Sequence, residues 1–369
     1  MPASKVYFAD LRATIKENLL AKISRLLESG GIKDIISPRK LIALKLHFGE
    51  KGNTGFIRPI FIRQIVGLIR ELDAEPFLVD TNTLYSGARG NSASHLNTAI
   101  ANGFAFSVVN APIIIADGLR GSSQESIKID QKFIKTAFLG KEIVSADSLV
   151  CISHFKGHEI SGFGGAIKNL GMGCASRKGK LDQHSDLSPK IKAKKCTGCG
   201  DCIQHCAQKA ISIVNKKGFI NSDKCVGCSE CILICPNEAI EIRWSSDVPK
   251  FQKKMAEYAF AALKNKVGKA FFINFLTNIS PACDCYAYSD APIVNDIGFM
   301  ASKDPIAIDQ ASFDMVNRQP PASISCLDDS TEENQDKFKM IYPRIDSTIQ
   351  LKHAEKIGLG SRNYELIKI

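Results

Sequence analysis

The sequence predicts an α/β protein in which a mostly parallel sheet is sandwiched by helices and interrupted by a small cysteine-rich insertion. Apolar strand-sized segments alternate with helix-sized segments on both sides of that insertion. Eight of the 13 cysteines stand in two runs of identical spacing within it, and 369 residues are more than a single small core requires. We therefore expect one α/β domain formed by residues 1–189 and 244–369, with residues 190–243 inserted between its two parts.

The first predicted elements follow one another as helix, strand, helix and strand. Residues 13–28 carry leucine and isoleucine at helical spacing, residues 41–48 form a continuous apolar run, and a second helix opens at Pro59 and ends near Leu72. Near-continuous apolar strands between helices are typical of a parallel sheet covered on both faces. The further strands predicted from the same pattern span residues 75–80, 111–116, 148–153 and 270–276.

Composition excludes several classes of protein. Hydrophobic residues make up 44% of the chain and charged residues 23%, which is ordinary for a globular protein. The N-terminal residues lack the apolar run of a signal peptide, and no stretch approaches the roughly 18 apolar residues of a membrane span. We expect a cytoplasmic protein without a membrane anchor. The sequence indicates no oligomeric state.

Two cysteine runs share the spacing C-x2-C-x2-C-x3-C, and the second begins 29 residues after the first. The likeness extends to the pattern C-x-G-C-x-x-C-I-x-x-C-x-x-x-A-I-x-I, which indicates an internal duplication. In a chain without an export signal, this cysteine content favours metal ligation or catalysis over disulfides. The runs are Cys196, Cys199, Cys202 and Cys206, and Cys225, Cys228, Cys231 and Cys235.

The segment with these runs, residues 190–243, resembles the bacterial two-cluster ferredoxins. The resemblance implies a ferredoxin-like α+β domain that binds two [4Fe-4S] clusters, with the fourth cysteine of each run ligating the other cluster. Zinc is the alternative. A zinc site needs four sulfurs, however, and does not account for the three-residue spacing in both runs. A second alternative is a purely structural role, although paired clusters favour electron transfer. One implied ligand set is Cys196, Cys199, Cys202 and Cys235, and the other is Cys225, Cys228, Cys231 and Cys206.

Polar residues collect where the predicted strands end, and ligands of parallel sheets bind outside those carboxyl ends. Glycines after the strand at 148–153 can expose backbone N–H groups to an anion, although tight helix packing is the alternative interpretation. No G-x-G-x-x-G and no complete P-loop is present, so neither dinucleotide nor ATP binding is supported. The catalytic candidates are Lys45, His47, Asp80, His154, Lys156, His158 and Lys168. The candidates for binding a ligand are Gly162, Gly164, Gly165 and Asn169.

Cys283 and Cys285 lie outside the two runs. If their segment is extended, both sulfurs point to one side, because side chains alternate along a strand. We expect the pair at the same sheet edge as His154 and His158. A third metal or redox site is the hypothesis for this pair, and spare thiols are the alternative.

The chain as a whole is similar to the family catalogued as domain of unknown function 362, in the form with a ferredoxin insertion. The family's name states no reaction, so the resemblance implies fold and iron–sulfur content more than substrate. The motifs that carry it are LKLHFGEKGNTGFIRP, FLVDTNTLYSGARGN, ISHFKGHEISGFGGAIKNLGMG, CDC and NDIGFMASKDPIAIDQASFD. In the last motif, Ser302 or Asp304 is a candidate cap for a helix near Pro305, and Asp309 is a further candidate for the cleft.

Together these features predict an iron–sulfur oxidoreductase that feeds electrons from two clusters to a small anionic substrate or a metal centre in the α/β cleft. Histidine or lysine would donate protons, and Lys168 would hold an anionic group. The first alternative is a reductive activator or electron carrier for a partner metalloprotein. Its docking face would be the lysines before the first cysteine run, which lack the interleaved aromatics of a nucleic-acid platform. The second is a non-redox phosphate-binding transferase or ligase, against which the missing nucleotide motifs argue.

Overall fold

The computed structural model describes residues 3–85, 87–184, 188–206, 208–225, 227, 230–242, 247–327 and 333–369. Among the described helices, none combines the length and the apolar character needed to traverse a bilayer. Within the described residues the strands are β1 (Ser4–Asp10), β2 (Leu41–Lys45), β3 (Glu75–Asp80), β4 (Ile113–Ile115), β5 (Gln124–Lys128), β6 (Thr136–Gly140), β7 (Ser148–His154), β8 (Lys156–His158), β9 (Gly162–Gly164), β10 (Lys190–Ile191), β11 (Ile211–Val214), β12 (Lys217–Ile220), β13 (Ile240–Glu241), β14 (Ala270–Leu276), β15 (Gly298–Ser302) and β16 (Tyr364–Lys368).

The helices are distributed along the whole described chain. They are α1 (Leu19–Ser29), α2 (Pro59–Glu71), α3 (Ser92–Ala99), α4 (Phe106–Val109), α5 (Lys141–Ser145), α6 (Ala166–Gly171), α7 (Arg177–His184), α8 (Asp201–Gln204), α9 (Glu230–Ile234), α10 (Val248–Leu263), α11 (Pro305–Arg318), α12 (Lys337–Ile341) and α13 (Thr348–Lys356). A short 3₁₀ helix spans Ile32–Ile35, and a π-helical turn spans Ile100–Phe104.

The central sheet has eight strands in the order β16-β1-β15-β14-β7-β2-β3-β4. From β14 to β4 every neighbouring pair is parallel, and β1 is parallel to β16. Only β15 runs antiparallel to both of its neighbours. The predicted α/β fold with a mostly parallel sheet is confirmed. The edge formed by β15, β1 and β16 was not predicted.

Both faces of the sheet are covered, which explains why its strands are apolar at almost every position. In β7, Val150 and Ile152 enter the core shared with α1 and α2. Leu149 and Cys151 enter the core on the other face, shared with α6, α10 and α11. Successive side chains of a strand point to opposite faces, so a strand buried on both sides needs apolar residues throughout.

Some predicted boundaries were wrong, each for a local reason. The first helix begins at Leu19 and not at residue 13, because Asn18 caps it by accepting a hydrogen bond from the Ala21 N–H at 3.0 Å. The strand predicted over residues 41–48 ends at Lys45, whose side chain turns toward the strand-end cluster described below. The strand predicted over residues 111–116 pairs with β3 only at Ile113–Ile115.

Residues 190–243 form small strands and short helices beside the central sheet. β10 pairs with β13, so the two ends of this segment lie side by side, and β11 forms a hairpin with β12. Its apolar side packs on Leu84 and Leu181, and Arg120 contacts Glu230 at 3.1 Å. The segment therefore sits next to the end of β3 and the helix α7. The buried members of this shared apolar cluster are Leu84, Leu181, Ile232, Ile240 and Ile242.

Candidate active-site cleft and cysteine clusters

A cavity of about 790 Å³, here called the cleft, opens where β2, β3 and β7 end. Its position follows from parallel topology, which brings the carboxyl ends of separate strands to one edge. Gly162 is not in its lining and instead lies against Ser347. Of the residues predicted from the sequence, the cleft is lined by Lys45, His47, Asp80, His154, Lys156, His158, Gly164, Gly165, Lys168, Asn169 and Cys285.

The cleft is strongly cationic. Six lysine and arginine residues line it against three acids, and four histidines join them. Such a wall attracts an anion. The basic residues are Lys45, Lys51, Arg89, Lys156, Lys168 and Lys180, and the acids are Glu50, Asp80 and Glu159. Sequence reasoning missed Arg89, Lys180, Glu50, Tyr85 and His184, although Tyr85 and Arg89 stand in one of the quoted motifs.

Two of the basic residues are held by acids. Lys45 Nζ lies 2.9 Å from Asp80 Oδ1 and also donates to Asn169 Oδ1 at 2.8 Å. Arg89 Nε donates to Glu50 Oε2 at 3.1 Å. Burial raises the pKa of Asp80, but Lys45 and His95 outweigh this and hold that pKa well below its ordinary value. This network therefore fixes the strand ends.

Lys168 differs from these, because its described hydrogen bond goes to a sulfur atom. Its Nζ lies 3.4 Å from Cys283 Sγ. Burial lowers the pKa of Lys168, but Cys283 and Cys285 raise it more, so the ammonium group persists at neutral pH. Lys168 thus presents a positive charge to the cleft beside a thiol.

Asp284 links the segment of the two cysteines to β7 and β8. Its Oδ1 lies 2.9 Å from His154 Nδ1, and its Oδ2 accepts from Lys156 Nζ at 2.7 Å. His154 Nε2 lies 3.0 Å from the carbonyl oxygens of Thr277 and Asn278. Burial raises the pKa of Asp284, but His154 and Lys156 lower it by more than burial raises it. The carboxylate therefore stays charged. His154 and Lys156 therefore position this turn and are not unengaged proton donors.

The segment of Cys283 and Cys285 is a turn, so the extended conformation considered for it is not adopted. The Tyr286 N–H closes it on the Cys283 carbonyl oxygen at 3.1 Å. The two sulfurs still meet, because Cys283 Sγ donates to Cys285 Sγ at 3.0 Å. Cys285 Sγ also lies 3.4 Å from His47 Nε2. The structure thus places Cys285 in the cleft wall beside His47, and places Cys283 against Cys285 and Lys168.

The glycine loop does not leave a helix N-terminus open to an anion. Asp309 Oδ1 accepts from the Ala166 N–H at 2.7 Å, and its Oδ2 accepts from the Ile167 N–H at 2.9 Å. A side chain at Gly165 would overlap Asp309, which is why a glycine is needed there. The loop therefore packs against a carboxylate of the protein itself. Of the two groups predicted to contact an anion, the loop N–H groups and Lys168, this leaves Lys168. His158 Nδ1 similarly accepts from Ile160 and Ser161 N–H groups and orients the loop between β8 and β9.

Four cysteines of the predicted first ligand set line one small cavity in residues 190–243, including Cys235 from the second run. Backbone N–H groups point at cysteine sulfurs there. Gly218 donates to Cys196 at 3.3 Å, Ala210 to Cys206 at 3.3 Å, and Ala239 to Cys235 at 3.2 Å. Ala210 and Ala239 each follow their cysteine by four residues, as expected from the duplicated sequence. The lining cysteines are Cys196, Cys199, Cys202 and Cys235.

The second predicted ligand set is only partly described. Cys206, Cys225 and Cys231 belong to the described residues, and Cys228 lies outside them. Among the described residues, no three His, Cys, Asp or Glu side chains converge closely enough to hold a single metal ion. N–H donors at the sulfurs and four cysteines around one cavity are the environment that an iron–sulfur cubane requires, so the first set fits that group.

The cysteine segment and the cleft share an apolar contact. Leu84 lines the cleft and belongs to the same buried cluster as Ile232. Cys202 and Cys231 pack against that cluster. Leu181, on α7, lies against Gly227. Leu84 therefore belongs both to the cleft lining and to the apolar cluster that these two cysteines contact.

Comparison with known proteins places the chain in a family without naming a reaction. A search of curated proteins finds no match. Among solved structures, the lactate racemase apoprotein from Thermoanaerobacterium thermosaccharolyticum matches with a TM-score of 0.39 and 14% identity, over 74% of this chain and 51% of that chain. The chain thus spans about half the length of that protein. The profile of one family matches residues 42–314, which include β2, the cleft and the cysteine segment. The chain belongs to the family described as Domain of unknown function (DUF362).

Proposed function

We propose that this chain is an iron–sulfur oxidoreductase that feeds electrons from two [4Fe-4S] clusters to a small anionic substrate in the cleft. The contact through Leu84 is the observation that supports the proposal most. Electron tunnelling falls steeply with distance, and Leu84 both lines the cleft and belongs to the apolar cluster against which Cys202 and Cys231 pack. A cysteine segment that only stabilised the fold would not need to sit against a cationic cavity.

The proposal includes the domain organisation and both ligand sets expected from the sequence. Residues 190–243 are the inserted domain, and residues 1–189 and 244–369 are the two parts of the main domain. Each cluster, when bound, takes up and releases one electron at a time. The cysteines would hold them crosswise, Cys196, Cys199, Cys202 and Cys235 on one, and Cys225, Cys228, Cys231 and Cys206 on the other.

An anionic substrate is supported by the charge and size of the cleft. Its volume of about 790 Å³ lies within the range of small-molecule sites. Lys45 and Arg89 are engaged by acids, so Lys168 is the best-placed group to contact the anion. Lys180 lies deeper, donates to the Asn82 carbonyl oxygen at 2.8 Å, and has its pKa lowered to about 8 by burial. That pKa suits a group that gives up and regains a proton near neutral pH.

The alternative of an electron carrier for a partner protein is favoured by one surface. Cys199 is exposed, and the cysteine segment also carries exposed lysines and apolar side chains. An acidic protein would find complementary charge there. The exposed residues of this surface are Lys194, Lys195, Lys216, Val214 and Phe219. This surface also serves the favoured proposal, because an electron donor must dock somewhere.

Metal analysis of anaerobically purified protein tests the proposal. We expect about eight irons and eight sulfides per chain, and electron paramagnetic resonance signals of two interacting reduced clusters. Cys199→Ser should lower the iron content to about half, since it removes one ligand of one cluster. Cys326→Ser is the matched control, because Cys326 is also exposed but lies far along the chain from both runs. Zinc in place of iron would overturn the proposal.

The kind of acceptor that reoxidises the reduced protein then distinguishes the enzyme hypothesis from the electron-carrier hypothesis. If the reduced protein is reoxidised by a small anionic acceptor, and Lys168→Gln slows this, the cleft is the site of electron exit. If only a protein acceptor reoxidises it, and the exposed lysines govern the rate, the carrier alternative replaces the enzyme.

A further inference from the structure

We infer that Cys283 and Cys285, of which Cys285 lines the cleft, are a reversible dithiol–disulfide couple that collects two electrons before they pass to the substrate. The inference rests on the proposed function for its source of electrons. It assigns a chemical role to the cysteine pair and explains why one-electron carriers adjoin a cavity suited to a small molecule.

The turn presents the two sulfurs to each other. Cys283 Sγ and Cys285 Sγ lie 3.0 Å apart, and a disulfide requires about 2 Å, so closure needs a movement of about 1 Å. The rest of the turn is fixed. The Tyr286 N–H closes it, the Glu50 N–H donates to the Asp284 carbonyl oxygen at 3.0 Å, and the Asp284 carboxylate is fully buried. These contacts hold the backbone of the turn while the two cysteine side chains approach each other.

Hydrogen-bond donors stand beside both sulfurs. The Gly49 N–H donates to His47 Nδ1 at 2.9 Å, so in neutral His47 the hydrogen resides on Nε2, which faces Cys285 Sγ at 3.4 Å. Lys168 Nζ donates to Cys283 Sγ at 3.4 Å. Each sulfur therefore has its own neighbour that can stabilise a thiolate or return a proton to it.

The redox step balances within the chain and its proposed clusters. Opening the disulfide breaks the bond between the two sulfurs and consumes two electrons, one from each reduced cluster. Two protons, handed over by His47 and Lys168 and replaced from water, convert both sulfurs to thiols. Closing forms the bond again and releases the electron pair and two protons to an anionic acceptor in the cleft, which is reduced by two electrons.

A positive charge distinguishes this role from the metal site that the sequence suggested. The Lys168 ammonium group lies 3.4 Å from Cys283 Sγ, where it would repel a metal cation bound to the same sulfur. The same ammonium group favours a thiolate. The geometry therefore points to sulfur redox chemistry at this position.

Thiol trapping on the intact protein tests the couple without any variant. Cluster-containing protein is equilibrated anaerobically with mixtures of reduced and oxidised dithiothreitol, alkylated with N-ethylmaleimide and analysed by mass spectrometry. We expect the peptide with Cys283 and Cys285 to convert from two alkyl groups to none along a single two-electron curve. Cys285→Ser should abolish this conversion, and Cys326→Ser should leave it unchanged. An alkylation pattern that stays constant across all mixtures would overturn the inference, as would a metal ion bound stoichiometrically by this pair.

A second measurement separates failure of the couple from failure of the proposed function. Protein with the disulfide closed is illuminated with deazaflavin, which reduces the clusters, and opening is followed by the same trapping. We expect opening to be at least tenfold slower in Cys199→Ser. If dithiothreitol opens the disulfide but reduced clusters do not, the inference that this pair collects electrons from the clusters is wrong, and the oxidoreductase proposal is decided by the reoxidation test alone. If both clusters form and reduce while no disulfide ever appears, the couple is wrong and the oxidoreductase proposal stands.

Discussion

The carboxylate of Asp309, on α11, caps α6 across the core by accepting the Ala166 N–H at 2.7 Å. This contact determines whether the first N–H groups of α6 are available to a ligand. A carboxylate of the protein itself takes the position that a bound phosphate or carboxylate would otherwise occupy at the start of that helix. An anion in the cleft would therefore contact side chains rather than the N–H groups that begin α6.

Asp309→Asn should destabilise the protein without changing its cysteine chemistry. The amide has one acceptor oxygen where the carboxylate has two, so either Ala166 or Ile167 loses its partner in a buried position. We expect a loss of about 1–3 kcal/mol in the free energy of unfolding, measured by urea denaturation. Glu365→Gln, at an exposed position, is the control. An unchanged midpoint in Asp309→Asn would show that the cap does not support the fold.

Lys168→Gln should weaken the binding of small anions. The substitution removes the cation that faces the cleft and keeps a polar side chain of similar length. Isothermal titration calorimetry with malonate or inorganic phosphate should show an affinity at least tenfold lower, which corresponds to about 1.4 kcal/mol. Lys168→Arg should restore part of the affinity, and exposed Lys352→Gln should have no effect. Equal affinities in the wild type and Lys168→Gln would remove Lys168 from the anion site.

Leu84→Ala should loosen the cysteine segment from the main domain. Leu84 is buried between the cleft and Ile232, so truncation leaves a cavity in their shared cluster and costs about 2–4 kcal/mol. Amide hydrogen exchange should speed up in β13 while β7 remains protected. Leu119→Ala is the matched control, because Leu119 is mostly exposed. Unchanged exchange in β13 would mean that the segment is held elsewhere.

Asp117→Asn should change how stability depends on pH. Burial raises the pKa of Asp117 to about 6 from an ordinary 3.8. Between these values the folded protein holds a proton that the unfolded chain has released, so the free energy of unfolding falls as the pH rises across this window. The variant lacks this proton and should show a shallower fall in urea midpoint. Asp309 acts in the same direction, since burial also raises its pKa to about 6, so part of the slope should remain. A slope identical to that of the wild type would refute the assignment.

The parts of the fold that were predictable are those where one physical requirement dominates. Strands β2, β3, β7 and β14 are buried on both faces, so burial alone dictates their apolar runs. Strand β15 carries the same apolar character, but sequence pattern does not reveal that it runs antiparallel. The start of α1 depended on Asn18, a single capping residue within a segment of helical periodicity.

The cleft was predictable to the extent that strand ends determine it. Lys45, Asp80 and His154 end strands, and their convergence follows from topology. Arg89 and Glu50 come from loops, whose paths no periodicity encodes. Asp284 was overlooked because it stands between two cysteines, although its carboxylate is what fixes their turn.

The pairing of β10 with β13 has a consequence for the architecture. Ile191 lies opposite Ile240, so a two-residue ladder holds the two ends of the cysteine segment together. A segment whose ends lie side by side can be inserted or removed without changing the strand order of the surrounding sheet. The cysteine segment and the main sheet can thus be acquired, exchanged or lost as separate units.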